Sequence, residues 1–309
     1  MATLIATLLG CMTAPLPTPE FLEPYDLVWE TAPVRWLTGI PLANGDIGAL
    51  IWGDGAPLKF TLDKYDAWET REVPLKTTYK ELRQLVADGK RKEAEECMRT
   101  ESLYGEGPRP TRLPMPRLEL DFGRPLQWSS GRLRLGTATA SIDASAGDKP
   151  VHIEALVNAR KNIIQIRLKG SGAAQAKVHV GLGHLDKSAK ETLKNWGYSE
   201  PEVVESENDG SLLFKAPTGY EYAAAWHRSG QATDCTIAVA LLSTADAPEP
   251  LEAAKTLAAQ ESSDAEHKEW WAAYWNRSWL TVPDARLEAL YYAEMYKLGC
   301  LSRPGKYPI

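Results

Sequence analysis

The sequence predicts a mainly β protein, a large antiparallel sandwich with a small helical insertion and a helical tail. Three observations carry this. Between Leu27 and Pro250, apolar runs of strand length recur at short spacing, most of them bounded by Gly, Pro, Asn or Asp. No long helical pattern alternates with these runs, which disfavours a parallel α/β sheet. From Leu251 to Leu280 the chain contains neither Gly nor Pro and is rich in Ala, Glu and Lys, which predicts helix.

Residues 1–25 read as an apolar, then Pro-rich, extended lead-in. Leu8-Leu9-Gly10-Cys11 is similar to a bacterial lipoprotein cleavage box, but no Lys or Arg precedes the short apolar run. The expectation is a secreted, periplasmic or lipid-anchored protein, with Cys11 the candidate lipidation site. No other stretch is long and apolar enough to span a membrane.

Residues 26–249 hold the expected strands: Ile47–Trp52, Lys59–Asp63, Arg117–Phe122, Arg132–Ile142, Val151–Val157, Asn162–Leu168, Ala176–Leu182, Ser211–Lys215, Glu221–His227 and Cys235–Leu242. In Arg132–Ile142, Leu133 and Leu135 alternate with polar residues, as one strand with a wet face requires. Thr78-Tyr79-Lys80-Glu81 is a capping box that opens a helix with Leu82, Leu85 and Val86 on one face. Asp88-Gly89 ends it, and Lys90 to Met98 form a second short helix. This pair is expected to pack over the sandwich.

Residues 250–282 read as a helical linker, with Trp271, Trp275 and Trp279 in one stripe. Asn276-Arg277-Ser278 fits a glycosylation acceptor, but its helical, Trp-flanked context argues against use. Asp284 is an N-cap, followed by Leu287, Leu290, Tyr291, Met295, Leu298 and Leu301 at helical spacing. That stripe must be buried against something, and only eight residues follow Leu301. Residues 283–309 are therefore expected to begin a further helical domain.

The net charge of −6 argues against a nucleic-acid binder. The 11 Trp and 12 Tyr against 4 Phe favour surfaces that are apolar with polar handles, as sugar rings or wet interfaces require, although a large core also uses Trp. Cys11, Cys97, Cys235 and Cys300 lie far apart, and no histidine or cysteine spacing fits a metal, so neither metal nor cofactor is expected. Cys97 and Cys300 fit as small core residues.

The strongest local signal is PLANGDIGALIWGDGAPLKFTLDKYDAWE, residues 41–69, a pair of tight turns flanking an apolar strand. It is neither a dinucleotide fingerprint nor a P-loop, and no nucleophile elbow occurs in the chain. Asp46, Asp63, Asp66 and Glu69 crowd this segment. Glycosidic hydrolysis needs two carboxylates across the scissile bond, but spacing alone selects no pair.

The same segment, opening from Trp29 or Trp36, resembles the start of glycoside hydrolase family 95, the α-L-fucosidase-like enzymes. LRQLVADGKRKEAEECM, PRLELDFG and the block from His267 to Pro308 extend the likeness to both ends of the chain. The resemblance implies a β-supersandwich, a helical linker and the first helix of an (α/α)₆ barrel that holds the active site. It implies an inverting exo-glycosidase acting on oligosaccharides or polysaccharides, with the catalytic domain as intramolecular partner. The family's catalytic residues match no position here, so no catalytic residue is assigned and the chain alone is expected to be inactive. Ala43 departs from the family's turn glycine, and Thr61 to Asp66 from its usual run, which weakens fucose specificity. The maltose and trehalose phosphorylases of family 65 share the architecture, and a phosphorylase domain or a non-catalytic carbohydrate-binding sandwich are the alternatives. Residues expected to touch substrate, if any here do, are Asn44, Asp46, Asp66 and Trp68, with turn-shaping as their other role.

Overall fold

A computed structural model describes residues 19–72, 75–99, 102–103, 107–260 and 263–306. Cys11 and the apolar start lie outside them. Two antiparallel sheets face each other. The larger has nine strands in the order β1-β6-β7-β8-β9-β14-β13-β12-β11, and the smaller five, β10-β5-β4-β3-β2. Along the chain these are β1 (Leu27–Trp29), β2 (Ile40–Ala43), β3 (Ile47–Trp52), β4 (Leu58–Lys64), β5 (Arg117–Asp121), β6 (Gln127–Arg134) and β7 (Thr139–Ala146). Then follow β8 (Lys149–Val157), β9 (Ile163–Lys169), β10 (Lys177–Gly181), β11 (Glu202–Glu205), β12 (Asp209–Lys215), β13 (Glu221–Gln231) and β14 (Asp234–Ser243).

The period-two patterns do the sorting. In β3 and β4 every second side chain is buried, so Ile47, Ala49, Ile51, Leu58, Phe60 and Leu62 enter the core while Leu50, Lys59 and Thr61 face outward. Arg132–Ile142 is not one strand. The chain turns between Arg134 and Thr139, with Ala138 at φ 46°, and β6 and β7 pair as a hairpin. The alternating Leu and Thr positions continue in sequence across that turn, so the pattern hides it. β1, β2 and β11 are too short to stand out by periodicity and exist through pairing with β6, β3 and β12.

The insertion forms as the capping box requires: α1 (Tyr79–Ala87) carries reciprocal Thr78–Glu81 bonds, and α2 (Arg91–Cys97) follows. It does not pack over the sandwich as expected. α1 buries no residue, α2 buries only Ala94, and Val86 is 55% exposed. A third helix, α3 (Lys187–Asn195), capped by Asp186, lies between β10 and β11.

The tail differs from its sequence pattern in three ways. The linker is two helices, α4 (Pro250–Ala259) and α5 (Ala265–Trp275). α4 lays Ala254 and Ala258 on the outer face of β13 and β14, against Ala223, Ala225 and Leu242. Trp271 and Trp275 enter the main core, but α5 stops at Trp275, so Trp279 stands 49% exposed beyond it. In α6 (Ala285–Leu301), Asp284 caps as predicted, accepting from the Arg286 and Leu287 amides. The leucine stripe, however, faces outward: Leu287, Leu290 and Leu298 are more than half exposed. The buried side is Glu288, Tyr292, Tyr296, Gly299 and Cys300. Part of the lead-in supplies its partner. Pro19–Tyr25 is a 3-10 helix, not an extended strap, whose Leu22 joins the core and whose Tyr25 ring lies 4.4 Å from that of Tyr292.

Candidate functional site

Four loops and the segment after α6 meet at one end of the sandwich, around Lys64. The side chain of Lys64 is fully buried, and its ammonium lies 2.7 Å from Asp46, 2.9 Å from Asp246 and 3.3 Å from Asp66. Lys306 adds a second ammonium 2.9 Å from Asp46. The position of Lys64 follows from strand period: Leu58, Phe60, Leu62 and Lys64 share the inward face of β4, and Lys64 ends the row where the loops cross.

Each loop is tied in by a specific bond. Asn44 accepts from the amides of Asp46 and Ile47 and donates to the carbonyls of Asn158 and Lys161, so one side chain shapes its own turn and anchors the β8–β9 loop. Gly45 stands at φ 78°, and a Cβ there would lie 2.6 Å from Arg303, so the turn and the segment after α6 close only over a glycine. Asn162 donates to Asp46 at 2.9 Å. Asp66 accepts from Ser243 at 2.5 Å and from Tyr220 at 3.2 Å. Burial pushes the Asp46 carboxyl up, but Lys64, Asn162 and Lys306 outweigh it and hold the group below the ordinary carboxylate range. Burial likewise opposes the charge on Lys64, and Asp66, Asp246 and Asp46 together hold it above the usual lysine value. Asp46 thus stays ionised beside a lysine that stays charged. The contacts around Lys64 therefore form an ionic clasp that ties these loops together.

The structure brings Asn44, Asp46 and Asp66 together and leaves Trp68 outside the clasp. Trp68 is 44% exposed, its indole N–H donates to the Tyr65 carbonyl at 3.1 Å, and the Arg112 guanidinium lies 5.2 Å from its ring centre. Of the other nearby carboxylates, Asp63 pairs with Arg112, and Glu69 is held by Arg71 at 2.6 Å and by the Tyr198 hydroxyl. Burial raises Glu69, but those partners bring it down to about 2. Sequence reasoning misses Lys64, Asn162, Asp246 and Lys306. For Lys64 a signal is present, a lysine at an inward strand position; the other three are loop residues whose partners lie far away in sequence.

Residues 28–256 match the family model described as glycosyl hydrolase family 65, N-terminal domain. The chain belongs to this family. That corrects the family 95 resemblance, and the fucosidase-like reading is set aside. Among solved structures, the chain is similar to one named "Putative kojibiose phosphorylase from human microbiome", with a TM-score of 0.52 and 10% sequence identity. The match covers 91% of this chain and 42% of that one, so this family 65 chain spans less than half the length of its structural neighbour. At this identity the likeness is one of fold. No curated protein matches the chain.

Proposed function

We propose that this chain is the N-terminal sandwich of a phosphate-dependent glycoside-cleaving enzyme, a glycoside phosphorylase, and that it docks a catalytic (α/α)₆ domain through its tail. The observation that carries the docking is the outer face of α6, where Leu287 is 59%, Leu290 55% and Leu298 53% exposed on a helix whose other face is already packed. A run of exposed leucines on one face of a packed helix marks a surface for another element to cover. The phosphorylase assignment is supported by the family match and by the name of the structural neighbour. In this reading Asn44, Asp46 and Asp66 shape the loop end that meets the catalytic domain, and Trp68 is the residue there that could reach a sugar ring. The carbohydrate substrate is bound mainly by the catalytic domain, with no nucleic acid, metal or cofactor involved.

The test is the protein that carries this chain together with its catalytic domain, incubated with α-linked glucose disaccharides, kojibiose included. Phosphate-dependent release of glucose 1-phosphate is expected, with inversion or retention read from the anomer. Free sugar released at the same rate without phosphate would overturn the phosphorylase reading. In the same protein, Leu290→Glu with Leu298→Glu should lower activity and thermal stability, while this chain alone loses no more than about 0.5 kcal/mol.

A further inference from the structure

On one side of the sandwich the nine-stranded sheet ends with β1 and the five-stranded sheet with β2, which lies across from β7 and β8. Residues 30–39 cross from one edge to the other. α6 lies along the same side: Tyr296 donates to the Pro41 carbonyl of β2, and Tyr292 meets the ring of Tyr25 just before β1. The crossing is pinned along its length. The Pro33 carbonyl accepts from the Gly53 amide at 2.9 Å, and the Arg35 carbonyl accepts from the Thr38 amide and hydroxyl, both at 3.0 Å. The Thr38 carbonyl accepts from the Trp29 indole at 2.8 Å. A Cβ at Gly39 would lie 2.8 Å from Leu50, so the backbone there rests directly on β3.

This fixed backbone carries side chains that the sandwich does not use. Val34, Trp36 and Leu37 are each at least 60% exposed, and Arg35 is the only charged residue from Ala32 to Leu42. Large apolar groups gathered on a rigid loop mark a binding surface. A Trp on a backbone already held in one shape loses little freedom on association, which is the property of an interface anchor. The distribution of exposed apolar surface points the same way. Outside the segment between β4 and β5, and Val203 and Val204 on β11, every exposed large apolar side chain among the described residues belongs to the lead-in, β1, the crossing or the tail.

We propose, resting on the docking read from α6, that residues 34–38 form a second docking element for the catalytic domain, with Trp36 as its anchor. Continuity names the occupant. The crossing and α6 flank the same side of the sandwich, so a partner that covers the outer face of α6 meets the crossing as well. Lys306, past the end of α6, is bonded to Asp46 just beyond β2, so a domain that continues from the tail begins one short strand away from the crossing. The partner surface that fits is apolar, with an acceptor for the single guanidinium of Arg35.

Hydroxyl-radical footprinting tests this on this chain and on the protein that carries it together with its catalytic domain. Trp36 should be oxidised readily in this chain and on the order of tenfold more slowly in the longer protein, because a bound anchor is shielded from water. Leu290 should slow with it, while Val204, exposed on the opposite edge strand β11, should not change. Slowing at Leu290 with Trp36 still reactive would overturn the proposal and leave docking through α6 standing; no change at either would overturn both. Protection of Trp36 in this chain alone as its concentration rises would assign the loop to a second copy, and protection by an added disaccharide would assign it to a sugar; each outcome would overturn the proposal. Trp36→Ser with Leu37→Ser should leave the thermal midpoint of this chain unchanged and lower that of the longer protein. No fall in the longer protein, or an equal fall in both, would overturn the anchor role. None of these readouts depends on which reaction the catalytic domain carries out.

Discussion

Among the contacts that hold the tail to the sandwich, two contrast: the rings along α5 and α6, and the charges where the loops meet Lys306. At the first, Trp271 lies between Tyr296, stacked at 5.4 Å, and Trp275, whose indole N–H donates to the Leu135 carbonyl. Tyr296 in turn donates to the Pro41 carbonyl. At the second, a single buried lysine gathers three carboxylates from separate loops. The ring seam removes large apolar area from water and gives several polar handles a backbone partner, so most of what it contributes is burial. The ionic clasp must first offset the desolvation of its charges, and its net contribution is small while intact. Its value lies in specificity: only one arrangement of the loops satisfies Lys64. Removing one member from each seam should therefore reveal different physics.

The largest effect is expected for Trp271→Ala, which leaves a cavity among fully buried rings. A loss of about 3–5 kcal/mol in chemical denaturation follows from large-to-small substitution in a core. A loss under about 1 kcal/mol would mean that α5 and α6 are not held by this seam. Next comes Lys64→Met, which leaves Asp46, Asp66 and Asp246 facing one another without their shared cation, at a cost of about 3 kcal/mol. Neutralising a carboxylate as well, with Asp46→Asn added, should recover part of that loss; Trp271→Ala has no such polar rescue. If the double variant is less stable than Lys64→Met, the clasp does not act as one electrostatic unit.

The smallest effect separates the seams by pH. His267, fully buried on α5, lies with Nδ1 3.2 Å from the Ala159 amide and Nε2 2.7 Å from the Thr137 carbonyl, which fixes a neutral ring with its proton on Nε2. Burial depresses its pKa, and the Thr137 carbonyl only partly opposes this. Because the folded value lies below the unfolded one of about 6.5, the unfolded chain binds more protons as pH falls, so stability is full above that value and declines below it. The depressed carboxylates Asp46 and Glu69 act lower: their contribution is present above their unfolded values and lost as pH falls through the acid range. Stability profiles should show two separate declines, and His267→Gln should reduce only the upper one, between about pH 7 and pH 5, to the share left by His184, whose pKa burial also lowers. An unchanged upper slope would show that the ring seam carries no titrating group.

Much of the fold is legible because period two and turn chemistry are local. Ile47–Trp52 can be read to the residue, and the Thr78 capping box and the Asp284 cap form as written. The β6–β7 turn escapes because its residues keep the strand alternation on either side. In α6 the leucines are visible but their direction is not: the helix is apolar on two sides, and Tyr292, Tyr296 and Cys300 win the core because sandwich carbonyls and rings are there to meet them. Asn44, Asp46 and Asp66 are recognisable as a group, while Lys64 reads as an ordinary surface lysine until its strand face is known.

By itself the sequence determined the longer regular strands such as Ile47–Trp52, the Thr78 and Asp284 caps and the glycine turn at Asn44-Gly45, since each depends on neighbours within a few residues. Only the tertiary structure decided which face of α6 is buried and which lysine the aspartates share. Those outcomes depend on groups separated by tens to hundreds of positions, and their energies exist only once the two sheets have closed on each other.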